Sequence, residues 1–159
     1  MQNLNSIVQT GILKFDYFNI IFMKKLKLVF LAIFIFGLNL IWEFSHYGLY
    51  IDLTGIPPAI HLIIASFTDL VLISFIFLIV SIFRKSIKWI ENPKKFDYII
   101  IIILGMLIAI IIEIYSLTYN RWAYTELMPT IFGIGVSPLI QLFTTAIISL
   151  WLTKYVIKV

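Results

Sequence analysis

Tyr98–Leu117 reads YIIIIILGMLIAIIIEIYSL, and the way this stretch folds decides the class of the whole chain. In water, a β-branched run of this kind reads as a buried strand. Its length argues otherwise, because it reaches the ~20 residues that a helix needs to cross the hydrocarbon core of a bilayer. A lone strand in lipid leaves its backbone groups unpaired, whereas a helix satisfies them internally. Leu26–Ser45, Ala59–Phe83 and Ile131–Leu152 have similar length and apolar character. The expectation is an all-α protein, a polytopic membrane four-helix bundle with spans near 26–45, 59–83, 98–117 and 131–152.

Composition supports this class. The 159 residues suffice for one compact domain. Hydrophobic residues make up 62% and charged residues only 13%, where soluble domains carry about 25% charged. Mean hydropathy is +1.05. A soluble domain of this size cannot bury so much apolar side chain, so lipid must solvate part of it. The absence of cysteine removes disulfides, thiolate metal sites and cysteine nucleophiles. The net charge of +4 does not point to nucleic acid, because the basic residues flank apolar runs rather than alternating with stacking aromatics.

Those basic residues set an orientation instead. Lys24, Lys25 and Lys27 precede the first span; Arg84, Lys85, Lys88, Lys94 and Lys95 fill the second loop; Lys154 and Lys158 follow the last span. The opposite loops hold one basic residue, Arg121. The positive-inside rule then puts both termini in the cytoplasm, N-in and C-in, in a multi-pass protein of the cell membrane. Residues 1–22 are read as an N-terminal extension to the four-span domain of 23–159, since Met23-Lys24-Lys25 before an apolar run resembles a natural start. Ile7, Val8, Ile12, Phe15 and Phe18 offer this extension an apolar face suited to an interfacial helix. The Met23–Trp42 stretch has signal-peptide character, but only bulky residues follow it, so a retained anchor is expected.

Polar residues fall in stripes. Asn39, Glu43 and His46 share one face of the first span, and His61, Ala65 and Asp69 one face of the second. Gly105, Ala109 and Glu113 do the same on the third, and Gly133, Ser137, Gln141 and Thr144 or Thr145 on the fourth. Counting along the helices places Glu43 and Glu113 near the outer surface and Asp69 and Gln141 near the midplane. The cytoplasmic half is almost purely apolar, so any site opens outward.

Asp69, Glu113, Glu43 and His46 are the candidate catalytic residues. A carboxylate at the midplane costs roughly 2.5–3.5 kcal/mol on insertion scales, so Asp69 must be protonated, paired or wetted; a bundle-stabilising bond to Gln141 or Ser66 is the structural alternative. Glu43 and His46 form an E-x-x-H pair of the kind di-metal bundles use. With His61 they supply donors for a divalent metal such as Zn, Fe or Mn, although the set is neither duplicated nor symmetric. His46 and His61 would clamp a haem only if their rings faced each other, and Phe44 and Tyr47 crowd that arrangement. Arg121, Trp122, Gln141 and Asn39 are the candidate substrate-binding residues. Arg121 suits an anionic head group, or an ion pair with Glu126 or Glu113, while Trp122, Tyr124, Trp42, Tyr47 and Tyr50 suit interfacial anchors.

Pro57-Pro58 marks the start of the second helix, and Met128-Pro129 is read the same way for the fourth. Pro138, seven residues into that last span, is expected to kink it. The segments Asn120–Pro129 and Gly133–Gln141, together with Glu113 and the Trp42-to-His46 end of the first helix, resemble those of small prokaryotic four-helix integral membrane proteins. The resemblance covers residues 27–152 and implies that fold, without a substrate. The leading expectation for function is a membrane-embedded enzyme acting on a lipid or isoprenoid-like substrate from the outer leaflet. The alternatives are a small transporter or channel subunit, proton-coupled through Asp69, and an accessory subunit of a membrane complex. The expected partners are membrane lipids, with a homo-oligomer or a partner membrane subunit as further options.

Overall fold

The structure, a computed structural model, describes residues 2–156, with side chains at 23 and 25–156. The expected apolar face at Ile7, Val8, Ile12, Phe15 and Phe18 lies outside the described side chains. Four helices run in chain order: α1 (Gln2–His46), α2 (Pro58–Arg84), α3 (Lys95–Thr118) and α4 (Val136–Val156). Each contains a segment long and apolar enough to cross a membrane, Lys25–Leu49 being the one that includes the end of α1. Each helix packs on its neighbours in sequence and α4 closes against α1, most sparsely between α2 and α3.

The helices turn many of their large apolar side chains outward. Ile33, Phe67, Phe75, Leu78 and Ile103 are each more than half exposed, as lipid-facing positions would be. The stripe on α3 allows the close approach expected of it: a methyl added at Gly105 would lie 3.0 Å from the Phe143 Cβ and 3.1 Å from its backbone nitrogen. Below that contact the bundle is dry. Ile73, Ile76, Val80, Ile101 and Ala146 are fully buried. The hydroxyls of Ser149 and Thr153 donate to Thr145 and Ser149 carbonyls on their own helix at 2.7 Å each. The loop between α2 and α3 is pinned to this end by Trp89, whose indole donates to Ser81 Oγ at 2.8 Å and packs edge-on against Phe77.

The opposite end departs from a plain bundle with loops. Two short antiparallel ribbons are present, β1 (Tyr50–Asp52) with β2 (Trp122–Tyr124), and β3 (Thr130–Ile131) with β4 (Ile134–Gly135). The first ties together loops that sequence reading left separate. The second corrects the expected start of the last helix at Ile131. Phe132 and Gly133 both adopt positive φ, +52° and +79°, the two-residue turn of a hairpin rather than a helical turn. Pro129 therefore does not open the fourth helix; its carbonyl accepts from the Val136 amide at 2.8 Å. Nor does Pro138 kink the span. It is the third residue of α4, among the first four amides that have no intrahelical partner, so its missing N–H costs nothing there. Pro57-Pro58 opens α2 as expected, with proline in the first turn.

Candidate functional site

The last turns of α1 present Asn39, Glu43 and His46 to the bundle interior, where they meet α2 and α4. Gln141 Nε2 donates to Glu43 Oε1 at 2.7 Å and to Asp69 Oδ2 at 2.8 Å, and lies 3.3 Å from Asn39 Oδ1. Asn39 is fully buried. Its amide donates to the Ile35 carbonyl at 2.8 Å, while its oxygen accepts from Thr145 Oγ1 at 3.1 Å. Glu43 and Asp69, set at different depths by counting along the helices, thus share the amide nitrogen of Gln141. The suggested bond of Asp69 to Gln141 is present. Ser66 instead donates to the Leu62 carbonyl of its own helix, at 2.7 Å.

His46 is held on both ring nitrogens. Nδ1 lies 2.8 Å from Ser137 Oγ and Nε2 3.4 Å from Glu43 Oε2. Trp42 Nε1 also lies 3.3 Å from Ser137 Oγ, and an indole N–H can only donate. A neutral ring with its proton on Nε2, toward the Glu43 carboxylate, can accept the serine hydrogen at Nδ1. This order is a hydroxyl–imidazole–carboxylate line. Ser137 is not part of the cavity lining, so its place in the line is to orient His46.

Glu113 ends a different network. Trp122 Nε1 donates to Oε2 at 3.2 Å, the Tyr124 hydroxyl to the same oxygen at 2.5 Å, and Tyr50 reaches Oε1 at 3.5 Å. Tyr124 accepts in turn from the Gly135 amide at 2.9 Å. Both ribbons therefore hang on this carboxylate. Burial raises the Tyr50 phenol far above its ordinary value, with the Glu113 charge adding to it. Burial, with the hydrogen bond to Glu113, raises that of Tyr124. Both phenols thus stay protonated as donors. Trp42, Tyr50, Trp122 and Tyr124 each give their polar tip to a partner inside the protein.

On the third side, His61 Nδ1 meets Asp52 Oδ2 at 2.5 Å, and Asp52 Oδ1 accepts from the Thr54 amide at 2.9 Å and hydroxyl at 2.7 Å. Desolvation acts to raise the Asp52 carboxyl, but the Thr54 hydroxyl and amide and His61 outweigh it and hold the group below its usual range. His61 is thereby drawn away from Glu43 and His46. Among the described residues no three His, Asp or Glu side chains converge as a metal-binding group would require. His46 has a neighbour at each ring nitrogen, whereas His61 is held through Nδ1 alone. Arg121 is exposed and has no carboxylate within ion-pair distance among the described residues, so the expected pairing with Glu126 or Glu113 is not made.

These networks surround one cavity of about 480 Å³. Glu43, Asp69 and Gln141 form its floor, while His61, Arg121 and Trp122 line it nearer the ribbons. Ile64 and Thr68 of α2 and Ile111 and Tyr115 of α3 also line it, yet all four are exposed on the outside of the bundle. The cavity therefore opens sideways between α2 and α3, the neighbouring pair that packs most sparsely. Sequence reading missed Tyr50, Tyr124, Asp52 and Ser137 as partners. The signals were present in the alternation Trp122-Ala123-Tyr124 and Tyr50-Ile51-Asp52, which turns alternate side chains one way, and in Asp52-Leu53-Thr54, an Asx-turn pattern. Compared with protein-family models, curated proteins and solved structures, the chain matches none.

Proposed function

We propose that this chain is a membrane-embedded enzyme that takes a lipid or isoprenoid-like substrate from the outer leaflet of the cell membrane, with both termini on the cytoplasmic side. The observation that carries the reading is the sideways opening between α2 and α3, with apolar walls at Ile64, Leu72 and Ile111 and a polar floor at Glu43, Asp69 and Gln141. An apolar chain can enter such a slot from lipid without leaving hydrocarbon, while its polar end meets convergent side chains. Asp69 and Glu43 act as the acid–base pair. His46, fixed by Ser137, sets the orientation of Glu43. Asn39 and Gln141 hold the carboxylates, Arg121 and Trp122 guard the outer end, and Glu113 keeps the ribbons closed above. The lysine-rich loop at the opposite end supports the orientation.

Transport is the weaker reading. The cytoplasmic half is packed with Ile73, Ile76, Val80 and Ile101 and offers no polar exit, so a path would have to form between copies of the chain or with a partner subunit. The test is to reconstitute the purified chain in nanodiscs made from a total membrane lipid extract and follow lipid species by mass spectrometry. Conversion of one lipid class by the wild type, lost in Asp69→Asn and in Glu43→Gln, is expected. An unchanged lipid profile alongside Asp69-dependent ion flux in liposomes would replace the enzyme reading by the transport one.

A further inference from the structure

We infer that the ligand of this cavity carries a primary ammonium group, as in a lipid with an aminoalkyl head; this rests on the lipid reading above and names its substrate class. The argument is a count of donors against acceptors on the cavity floor. A carboxylate offers two oxygens, each able to accept more than one hydrogen bond. Glu43 Oε1 and Asp69 Oδ2 depend on the same Gln141 nitrogen, at 2.7 and 2.8 Å. That nitrogen has two hydrogens and a third acceptor nearby, Asn39 Oδ1 at 3.3 Å. Glu43 Oε2 has only His46 Nε2, at the long distance of 3.4 Å. Asp69 also hydrogen-bonds Glu43, so one proton held between the two acids meets part of this shortfall and leaves one negative charge on the pair.

The floor is therefore rich in acceptors and poor in donors, and its acid pair, even sharing one proton, keeps a negative charge with no lysine or arginine in ion-pair contact among the described residues. The other two carboxylates in the wall are differently placed, since Asp52 is supplied by Thr54 and His61, and Glu113 by Trp122 and Tyr124. An unmet demand for N–H donors and positive charge is thus confined to Glu43 and Asp69. A primary ammonium answers both, with three donors and a full charge. A quaternary ammonium brings charge without donors, and a sugar or diol brings donors without charge. Tyr50 and Trp122 also line the cavity, and aromatic rings favour a nearby cation. Arg121 at the outer end, unpaired among the described residues, is placed to take the phosphate of a zwitterionic head group, leaving the acyl chains to pass between α2 and α3.

Native mass spectrometry on the full chain in detergent tests this. The probes are phosphatidylethanolamine, phosphatidylcholine and phosphatidylglycerol of identical acyl chains, each offered at equal concentration, with free ethanolamine as a soluble arm. Phosphatidylethanolamine is expected to be retained about tenfold or more over the other two, the factor that 1.4 kcal/mol of charge-assisted bonding supplies. Asp69→Asn and Glu43→Gln should each erase that preference, while Glu126→Gln, outside the cavity, keeps it. If one floor variant fails to give a monodisperse protein, the other, with the wild-type lipid series, decides. Equal retention of all three lipids, tighter retention of phosphatidylglycerol, or a preference that survives both floor variants overturns the ammonium inference while leaving the lipid reading in place. Retention of ethanolamine with no phospholipid leaves the ammonium standing and removes the lipid. Retention of nothing removes both.

Discussion

Tyr124 carries more of the outer end than any other single side chain. Its hydroxyl donates to Glu113 at 2.5 Å and accepts from the Gly135 amide at 2.9 Å, so it joins α3 to both ribbons. Tyr124→Phe removes both bonds and leaves a part-buried carboxylate short of a donor, a loss of about 1–3 kcal/mol, which should appear as a lower melting temperature in detergent. Tyr50→Phe, whose bond to Glu113 is 3.5 Å long, should cost less. Asp52 gives a pH signature. Its carboxyl is held below the usual range by Thr54 and His61, so its contribution is fully present above the unfolded value near ~3.9 and is lost as pH falls through the lower folded value. The melting temperature of the wild type should exceed that of Asp52→Asn at pH 6, and the gap should shrink once the pH drops below about 4. A gap that widens in acid would contradict this. The i, i+4 and i, i+7 spacing of Asn39, Glu43 and His46 made that face legible in the sequence, because a helix repeats every 3.6 residues. The partners of Glu113 were not legible in the same way. Tyr50 is 63 residues away in the chain, and no local periodicity announces a bond between a loop and a distant helix.

At the scale of elements, the turn between β3 and β4 is a strained solution. Type I′ turns need positive φ at both central positions, where asparagine and glycine are favoured. Gly133 meets that demand, but Phe132 holds φ +52° with its ring wholly exposed. Phe132→Asn should therefore raise the melting temperature, by an amount equivalent to about 1 kcal/mol; a decrease would mean that the ring makes a contact outside the chain. The α3–α4 seam behaves in the opposite sense. Gly105→Ala drives a methyl against the Phe143 backbone at 3.1 Å, where neither helix can yield cheaply, and should cost about 1–3 kcal/mol. The same two places mark how far elements could be read from the sequence. The third helix was secure because its apolar run is long and uninterrupted. The start of the fourth was not, because Thr130–Gly135 is apolar enough to pass as helix and hydropathy does not register backbone chirality. Gly133, Gly135 and Pro138 were the available signs, and they pointed to a turn followed by a first helical turn rather than to a kink.

For the whole molecule, the two ends of the bundle solve different problems. At one end small residues and large aliphatics fill the interior and the loop between α2 and α3 is stapled by Trp89 and by Arg84, whose Nε lies 3.5 Å from the buried Asp97 carboxylate. At the other end the ribbons brace the helices across the top, so α2 and α3 can stand apart at their side without the bundle collapsing. The opening is thus a consequence of the bracing, and filling it should not unfold the protein. Ala65 lines the cavity on the same α2 face as His61 and Asp69 and is only partly buried. Ala65→Phe places a ring in the slot while leaving every described hydrogen bond intact. It should lower lipid retention by about tenfold or more, since 1.4 kcal/mol of lost burial, roughly two methylene groups, already suffices. The melting temperature should hold or rise, because the ring fills empty space. Leu78→Phe, on the exposed face of α2 toward the end opposite the ribbons, adds comparable bulk away from the slot and should leave retention unchanged. Equal retention in Ala65→Phe and the wild type would mean that lipids adhere to the outer surface of the bundle and that the slot between α2 and α3 does not admit them.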